Sequence, residues 1–362
     1  MRKDYSCRMT LDLAAQLSTL KKPILVTGHT GFKGTWLTLL LESMGVGVVG
    51  LSLPAEDGSL YSRANRLNKI PEFFCDIRNR DSVNKVFKEF DPEVVIHLAA
   101  QPLVLESFRI PVETFEINVI GTANILNSSF ENPNVHSVVI ATTDKVYQND
   151  ERLKSFTELD SLRGKDPYSA SKVGAEAAVS AWQHISDVHG GPKVCAVRAG
   201  NVIGGGDFAS NRILPDIIRA AISKERLNVR NPDSTRPWQH VLDPLHGYLL
   251  AVKELIQGQN LKAINFGPLG ESLSVREVVE IASHNWPETL DIEINENKIS
   301  SALESNFLQL NPTFAINQLN WHPVWSQEES IIATMNWWER ILLKDISPLE
   351  SCHIDIENLF QH

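Results

Sequence analysis

Tyr168 and Lys172, in the run Tyr-Ser-Ala-Ser-Lys, stand four residues apart. On a helix that spacing stacks the two side chains on one face. An ammonium beside a phenol favours the phenolate. A phenolate can take the proton of a secondary alcohol while hydride leaves the same carbon. Such a pair also arises by chance as a surface contact, and it gains weight from its surroundings. Thr142-Thr143-Asp144-Lys145 ends a run of β-branched residues, and the Thr143 hydroxyl can hydrogen-bond the oxygen that Tyr168 deprotonates. Asp144 and Lys145 add an acid and a base at the same place. Oxidising and re-reducing one carbon leaves such a pair idle. Eliminating water next to the oxidised carbon uses both: in a hexose oxidised at C4, Lys145 removes the C5 proton, Asp144 protonates the departing C6 hydroxyl, and hydride returns to C6. A plain Asp–Lys ion pair at a strand end is the alternative.

Gly28-His-Thr-Gly31-Phe-Lys-Gly34 follows an apolar run and opens a helical one. Glycines so placed allow a tight turn and close approach of backbone to a pyrophosphate, and the helix start offers free N–H groups to the anion. The spacing is GxxGxxG, and a structural turn is the alternative reading. The end of the second strand, Ser52-Leu53, has neither an acid for a ribose nor an arginine for a 2′-phosphate, so NAD over NADP is a preference here. Asp76, after the third strand, suits either an adenine contact or a helix N-cap.

Positioning these residues calls for alternating strands and helices. Strands are predicted at 23–27, 46–51, 73–75, 94–98, 138–142 and 194–198, and helices at 32–44, 82–90, 112–130 and 168–187. Strands that alternate with helices and are apolar throughout imply an α/β fold, a Rossmann-type doubly wound parallel sheet. Its ligands bind beyond the carboxyl ends of the strands, after Thr27, Leu98, Thr142 and Arg198. Residues 20–200 are expected to form the NAD-binding domain. Residues 201–345, with the flexible loop Gly204-Gly205-Gly206 and helices at 274–285 and 327–343, are expected to form mainly a smaller α/β substrate-binding domain, leaving 1–19 and 346–362 as terminal extensions. A net charge of -10 without a basic patch argues against nucleic acid. No apolar run is long enough to span a bilayer, and the first twenty residues lack a secretory pattern. The scattered cysteines, with Cys75 and Cys195 expected as buried thiols, offer no metal spacing and fit a reducing cytoplasm.

The segments 26–37, 97–103, 142–145, 166–172, 198–207 and 236–241 resemble those of the CDP-glucose 4,6-dehydratases, extended short-chain dehydrogenases/reductases of the NAD-dependent epimerase/dehydratase family. Lysine at 145, with His29-Thr30 and Arg236-Pro-Trp-Gln-His240, separates the chain from dTDP-glucose and GDP-mannose dehydratases, which typically carry Asp-Glu at 144–145. The resemblance implies NAD as cofactor, CDP-glucose as substrate, and a 4-keto-6-deoxy product that feeds deoxysugars into surface polysaccharide such as lipopolysaccharide O-antigen. It implies cofactor contacts from Gly28, Thr30, Gly31, Phe32, Gly34, Asp76, Ile77, Leu98, Ala99, Gln101, Thr142, Tyr168 and Lys172. It implies substrate contacts from Asn201, Arg212, Arg230 and Arg236, although each arginine suits a structural salt bridge as well, and Trp238 and His240 suit either pocket or packing. A homodimer, or a homotetramer, is implied through the helices 112–130 and 168–187, with Ile117, Ile120, Ile125, Ala175, Ala178 and Ala181 at the interface. A 4-epimerase or reductase, or a dehydratase for another nucleotide sugar, would share the scaffold.

Overall fold

The computed structural model describes residues 12–150, 155–229, 231–294 and 308–361. Seven strands, β1 (Ile24–Thr27), β2 (Val48–Ser52), β3 (Glu72–Phe74), β4 (Val94–His97), β5 (Ser137–Ala141), β6 (Lys193–Ala199) and β7 (Ala263–Phe266), form one sheet in the order β3-β2-β1-β4-β5-β6-β7. Every pairing is parallel. The order reverses between β1 and β4, and a doubly wound sheet opens its ligand crevice at such a point.

The sheet divides two hydrophobic cores, and the period-two alternation of side chains assigns residues to each. Ile24, Val26, Val94, Ile96, Val139, Cys195 and Val197 face one core. Leu25, Val95, Val138, Ile140, Val194 and Ala196 face the other. The second core is covered by α2 (Arg80–Phe90), α3 (Thr122–Glu131) and α4 (Pro167–His189). The first is covered by α1 (Phe32–Ser43), α5 (Leu242–Ile256), α6 (Gln327–Leu343) and α7 (Pro348–Gln361). α7 buries Cys352, Ile356 and Leu359 in the same core that holds Trp36 and Leu40 of α1.

The predicted strands and helices are found close to their expected positions, while β7, α5 and α7 are not among those predicted, α7 lying in the stretch 346–362 expected as a terminal extension; three further points differ. The long helix before β5 is not uniform: Pro111–Phe115 and α3 are joined through a π-helical stretch, Glu116–Gly121. There Asn118 accepts the Gln101 N–H at 2.9 Å and donates to Ser171 Oγ at 2.9 Å, so the irregular turn ties the loop after β4 to α4. Irregular turns of this kind cluster at functional sites. Next, Gly204-Gly205-Gly206 is packed, not flexible: a Cβ on Gly205 would lie 1.9 Å from the Trp337 indole, and its carbonyl accepts the Trp36 indole N–H at 3.0 Å. Of the two thiols, Cys195 is buried and Cys75 only half-buried.

Asp243, in the first turn of α5, accepts the Val324 N–H at 2.7 Å and has a second carboxylate oxygen with no partner among the described residues. Burial pushes it up to about 8. An unfolded aspartate titrates near ~3.9. Between those values the folded chain keeps a proton that the unfolded chain has released, so stability falls as pH rises through this window, by up to ~1.4 kcal/mol per pH unit. Asp243→Asn keeps the acceptor and removes the titration. Thermal melts are expected to show the variant gaining on the parent from about pH 5 to about pH 8; parallel pH profiles would refute the assignment.

Candidate active site

Four loops at the carboxyl ends of β1, β4, β5 and β6 meet at the crevice. The first turns at Gly28, whose φ of 74° favours glycine, and a Cβ there would sit 2.8 Å from the Ala99 backbone nitrogen. Gly34 lets α1 close on the turn, since its Cβ would overlap the Gly28 carbonyl. Gly31 is the N-cap of α1 and no side chain caps it, nor does any acid stand in the first turn. The first N–H groups of α1, free of side-chain caps, therefore suit the pyrophosphate of a dinucleotide. Phe32 packs its half-buried ring on the core beneath. Thr30 shares a 2.7 Å hydrogen bond with Ser52 Oγ and donates to the Leu53 carbonyl at 3.0 Å, which closes the loop on the end of β2.

Thr27 holds the switch point together. Its hydroxyl lies 2.6 Å from His97 Nδ1 and accepts the Leu98 and Ala99 N–H groups, each at 3.2 Å. His97 reaches Thr122 Oγ1 at 3.1 Å, and burial pushes it down to about 3, so it bridges as a neutral ring. Gln101 turns into the protein, donating to Thr114 Oγ1 at 3.0 Å and accepting the Leu103 N–H at 2.5 Å. Asp76 is not an N-cap: Asn79 caps α2 through the Ser82 N–H, while Asp76 pairs with Arg78 at 2.6 Å. The Arg78 guanidinium, hydrogen-bonded to it, holds the Asp76 carboxyl below its usual range. Ile77 is buried against Gly121, and its carbonyl accepts from Asn124 at 2.9 Å.

The helix α4 begins where Asp166 caps it, accepting the Ser169 N–H at 2.9 Å in a reciprocal capping box with Pro167 at the first helical position. Tyr168, Lys172 and Glu176 then fall on one buried face. Lys172 Nζ donates to the Ala141 carbonyl at 3.1 Å, at the end of β5. Burial pulls Lys172 down to about 8, with Glu176 opposing. Burial pushes the Tyr168 phenol up to about 12; the Thr143 hydroxyl, hydrogen-bonded to it, and Arg212 pull it back, while Asp144 pushes it further. The phenol's hydrogen-bond partner is Thr143, while Lys172, one turn on, reaches the Ala141 carbonyl at the end of β5.

Thr143 donates to Asp144 Oδ1 at 3.0 Å, and Lys145 Nζ reaches the same oxygen at 3.3 Å. The ion pair anticipated as the plain alternative is thus present, yet it does not exhaust Asp144. The residue is 1% exposed, and Oδ2 has no partner among the described residues. Thr142 donates to Glu176 at 2.6 Å, and Arg198 grips the two carboxylate oxygens of Glu176 through Nε and an amino nitrogen, both at 2.8 Å. Asn201 lies half-buried on the short strand Asn201–Ile203, paired with Trp238. Arg212 pairs with Asp207 at 2.8 Å. Arg236 donates to the Thr235 carbonyl at 2.8 Å, and Arg230 lies outside the described residues. Trp238 and His240 pack: His240 meets Trp36 edge to face and Trp325 at a tilt, and the Trp238 indole donates to the Leu273 carbonyl.

Three residues at the site escaped the sequence reading. Glu176 had a signal, lying one helical turn beyond Lys172. Lys33 lay unremarked between two loop glycines, and Tyr248 of α5 had no signal. No cluster of metal-ligating side chains occurs among the described residues.

A glycine cradle at the switch point, facing a Tyr–Lys helix after the fifth strand, defines the class as an extended short-chain dehydrogenase/reductase. Within that class the chain belongs to the GDP-mannose 4,6 dehydratase family, whose sequence model it matches over residues 25–335. It is 39% identical over 329 residues to the CDP-glucose 4,6-dehydratase of Salmonella typhimurium, covering 87% of this chain and 90% of that protein. The fold matches the UDP-glucose 4-epimerase of Thermus thermophilus, solved with NAD, at a TM-score of 0.74 and 24% identity, covering 88% of this chain and 99% of the other. It also matches the dTDP-glucose 4,6-dehydratase of Streptomyces venezuelae, solved with NAD, at 0.75 and 21% identity, covering 90% and 99%.

Proposed function

We propose that the chain is an NAD-dependent hydro-lyase that converts CDP-D-glucose to CDP-4-keto-6-deoxy-D-glucose and water. The observation that carries this reading is the buried Asp144, with an unpartnered oxygen, beside Thr143, Tyr168 and Lys145. Bound NAD supplies the two-electron acceptor for C4 and the donor for C6. The cradle fits it: Gly28, Gly31 and Gly34 admit the pyrophosphate, Thr30 and Phe32 shape the loop, Leu98 and Ala99 line the crevice, and Asp76 and Ile77 border the adenine end. Tyr168 accepts the C4 hydroxyl proton with Thr143 as its hydrogen-bond partner, and Lys172 holds the ribose. Once a proton passes within the pair from Lys145 to Asp144, the neutral Lys145 amine removes the C5 proton and Asp144 hands its proton to the departing C6 hydroxyl, which restores the ion pair. Asn201, Arg212, Arg230 and Arg236 are assigned to the sugar diphosphate and cytidine, where guanidinium forks suit phosphate oxygens. Gln101 and Thr142 act on the cofactor by fixing the loop after β4 and the end of β5.

An epimerase on this scaffold would leave Asp144 and Lys145 idle. Mass analysis of products from CDP-, dTDP-, UDP- and GDP-glucose tests the reading. Loss of water from CDP-glucose is expected. An isomer of unchanged mass would indicate epimerisation, and water lost only from another nucleotide sugar would reassign the base.

The exposed side chains Val112, Phe115 and Ile120, which line one open apolar groove on Pro111–Gly121, and Ile185 and Val188 on α4 support a homodimer through these helices, since exposed apolar patches often mark interfaces. Ile125 and Ala175, named for that interface, are instead buried inside the subunit. Sedimentation at twice the chain mass of 40.4 kDa checks the dimer. No helix among the described residues is long and apolar enough to cross a membrane, and the three described cysteines are all free. We accordingly place the enzyme in the cytoplasm, supplying deoxysugars for surface polysaccharide such as O-antigen.

A further inference from the structure

Lys33 is the second residue of α1, and its ammonium crosses to α5. There it donates to the Tyr248 phenol at 3.2 Å and lies 5.5 Å from the ring centroid. Among the described residues, the other cations of the site each have a carboxylate nearby. Arg212 has Asp207 at 2.8 Å, Lys145 has Asp144 at 3.3 Å, and Lys172 has the field of Glu176. Lys33 shares only the field of Asp144 and makes no ion pair among the described residues. Burial, Lys172 and Arg212 together pull it down to about 8, with Asp144 opposing. The residue is nevertheless half-buried, not sealed. A cation held among other cations, with a neutral phenol as its hydrogen-bond partner, costs free energy until an anion reaches it. Both ligands of the proposed reaction bring one of the same chemistry, a diphosphate.

We propose that Lys33 binds a diphosphate oxygen, so that the glycine loop contributes a charged side chain as well as its backbone N–H groups to ligand binding. This rests on the nucleotide-sugar reading for one source, the substrate, and on the dinucleotide cradle for the other.

The test is calorimetric binding of NAD, CDP-glucose and cytidine to the full chain and to K33M and K33R. K33M is expected to weaken NAD, CDP-glucose or both by about tenfold or more, since charge-assisted bonds to phosphate are the strong ones. Cytidine, which has no phosphate, is expected to bind unchanged. K33R, which keeps the charge, is expected to stay within a few-fold of the parent. The ligand that weakens identifies the source. A folded K33M that binds NAD and CDP-glucose as the parent does overturns the proposal. K33Q, polar and uncharged, takes its place in the same comparison should K33M fail to fold. A parent chain that binds NAD but leaves CDP-glucose unconverted sinks the dehydratase reading, and the NAD comparison still decides the role of Lys33.

Discussion

Tyr168→Phe is expected to cut kcat by about 10²–10⁴-fold while KM for the nucleotide sugar stays near the parent value. The substitution removes one oxygen from a residue that is only 8% exposed and leaves the ring its packing. The bond from the Tyr168 N–H to Ser107 Oγ, at 3.1 Å, belongs to the backbone and survives. Thr143 keeps its 3.0 Å bond to Asp144 and is not orphaned. Fold and binding should therefore persist, and the loss falls on proton acceptance from the C4 hydroxyl. Initial rates of product formation, beside circular dichroism of the variant, measure it. A folded variant turning over within a few-fold of the parent would remove Tyr168 from the chemistry.

Much of this site is legible in the sequence because its physics is local. β-Branched runs flanked by helical stretches lead directly to the parallel sheet. The spacing of Tyr168 and Lys172 needs nothing beyond the helical repeat, and the cap at Asp166 stands just ahead of them. What sequence hides is set by distant packing. Gly204-Gly205-Gly206 reads as loose chain, but the indole of Trp337, more than a hundred residues on, occupies the space a side chain would need. Ile125 and Ala175 lie on helices whose two faces are both apolar, and periodicity alone did not tell the face packed on the sheet from the exposed one. Lys33 hid inside a motif read for its glycines, and its partner Tyr248 is 215 residues away in sequence.

Asp144→Asn is expected to separate the two halves of the proposed reaction. The side chain leaves the end of β5 in a short turn opened by Thr143, whose hydroxyl accepts the Lys145 N–H at 3.3 Å. Oδ1 receives Thr143 and Lys145, while Oδ2 is buried without a partner among the described residues, 3.2 Å from where a Cβ on Gly200 would lie. Asparagine keeps the shape and the bond from Thr143 but cannot pass a proton to a leaving hydroxyl. Oxidation at C4 depends on Tyr168, Thr143 and Lys172 and should continue, whereas loss of water should slow by about 10²–10⁴-fold. Quenched single turnovers read by mass are expected to show a nucleotide sugar that has lost two hydrogens but not water. In deuterated solvent it should also gain deuterium at C5, because Lys145 is intact; Lys145→Met should show the two-hydrogen loss without that exchange. Water released at the parental rate by the asparagine variant would exclude Asp144 as the acid. The same change replaces a buried carboxylate, half of it unpartnered, with a neutral amide, so Tm is expected to rise even as turnover falls. Opposite movements of stability and rate are the signature of a group kept for its chemistry, which an ion pair kept for the fold would not produce.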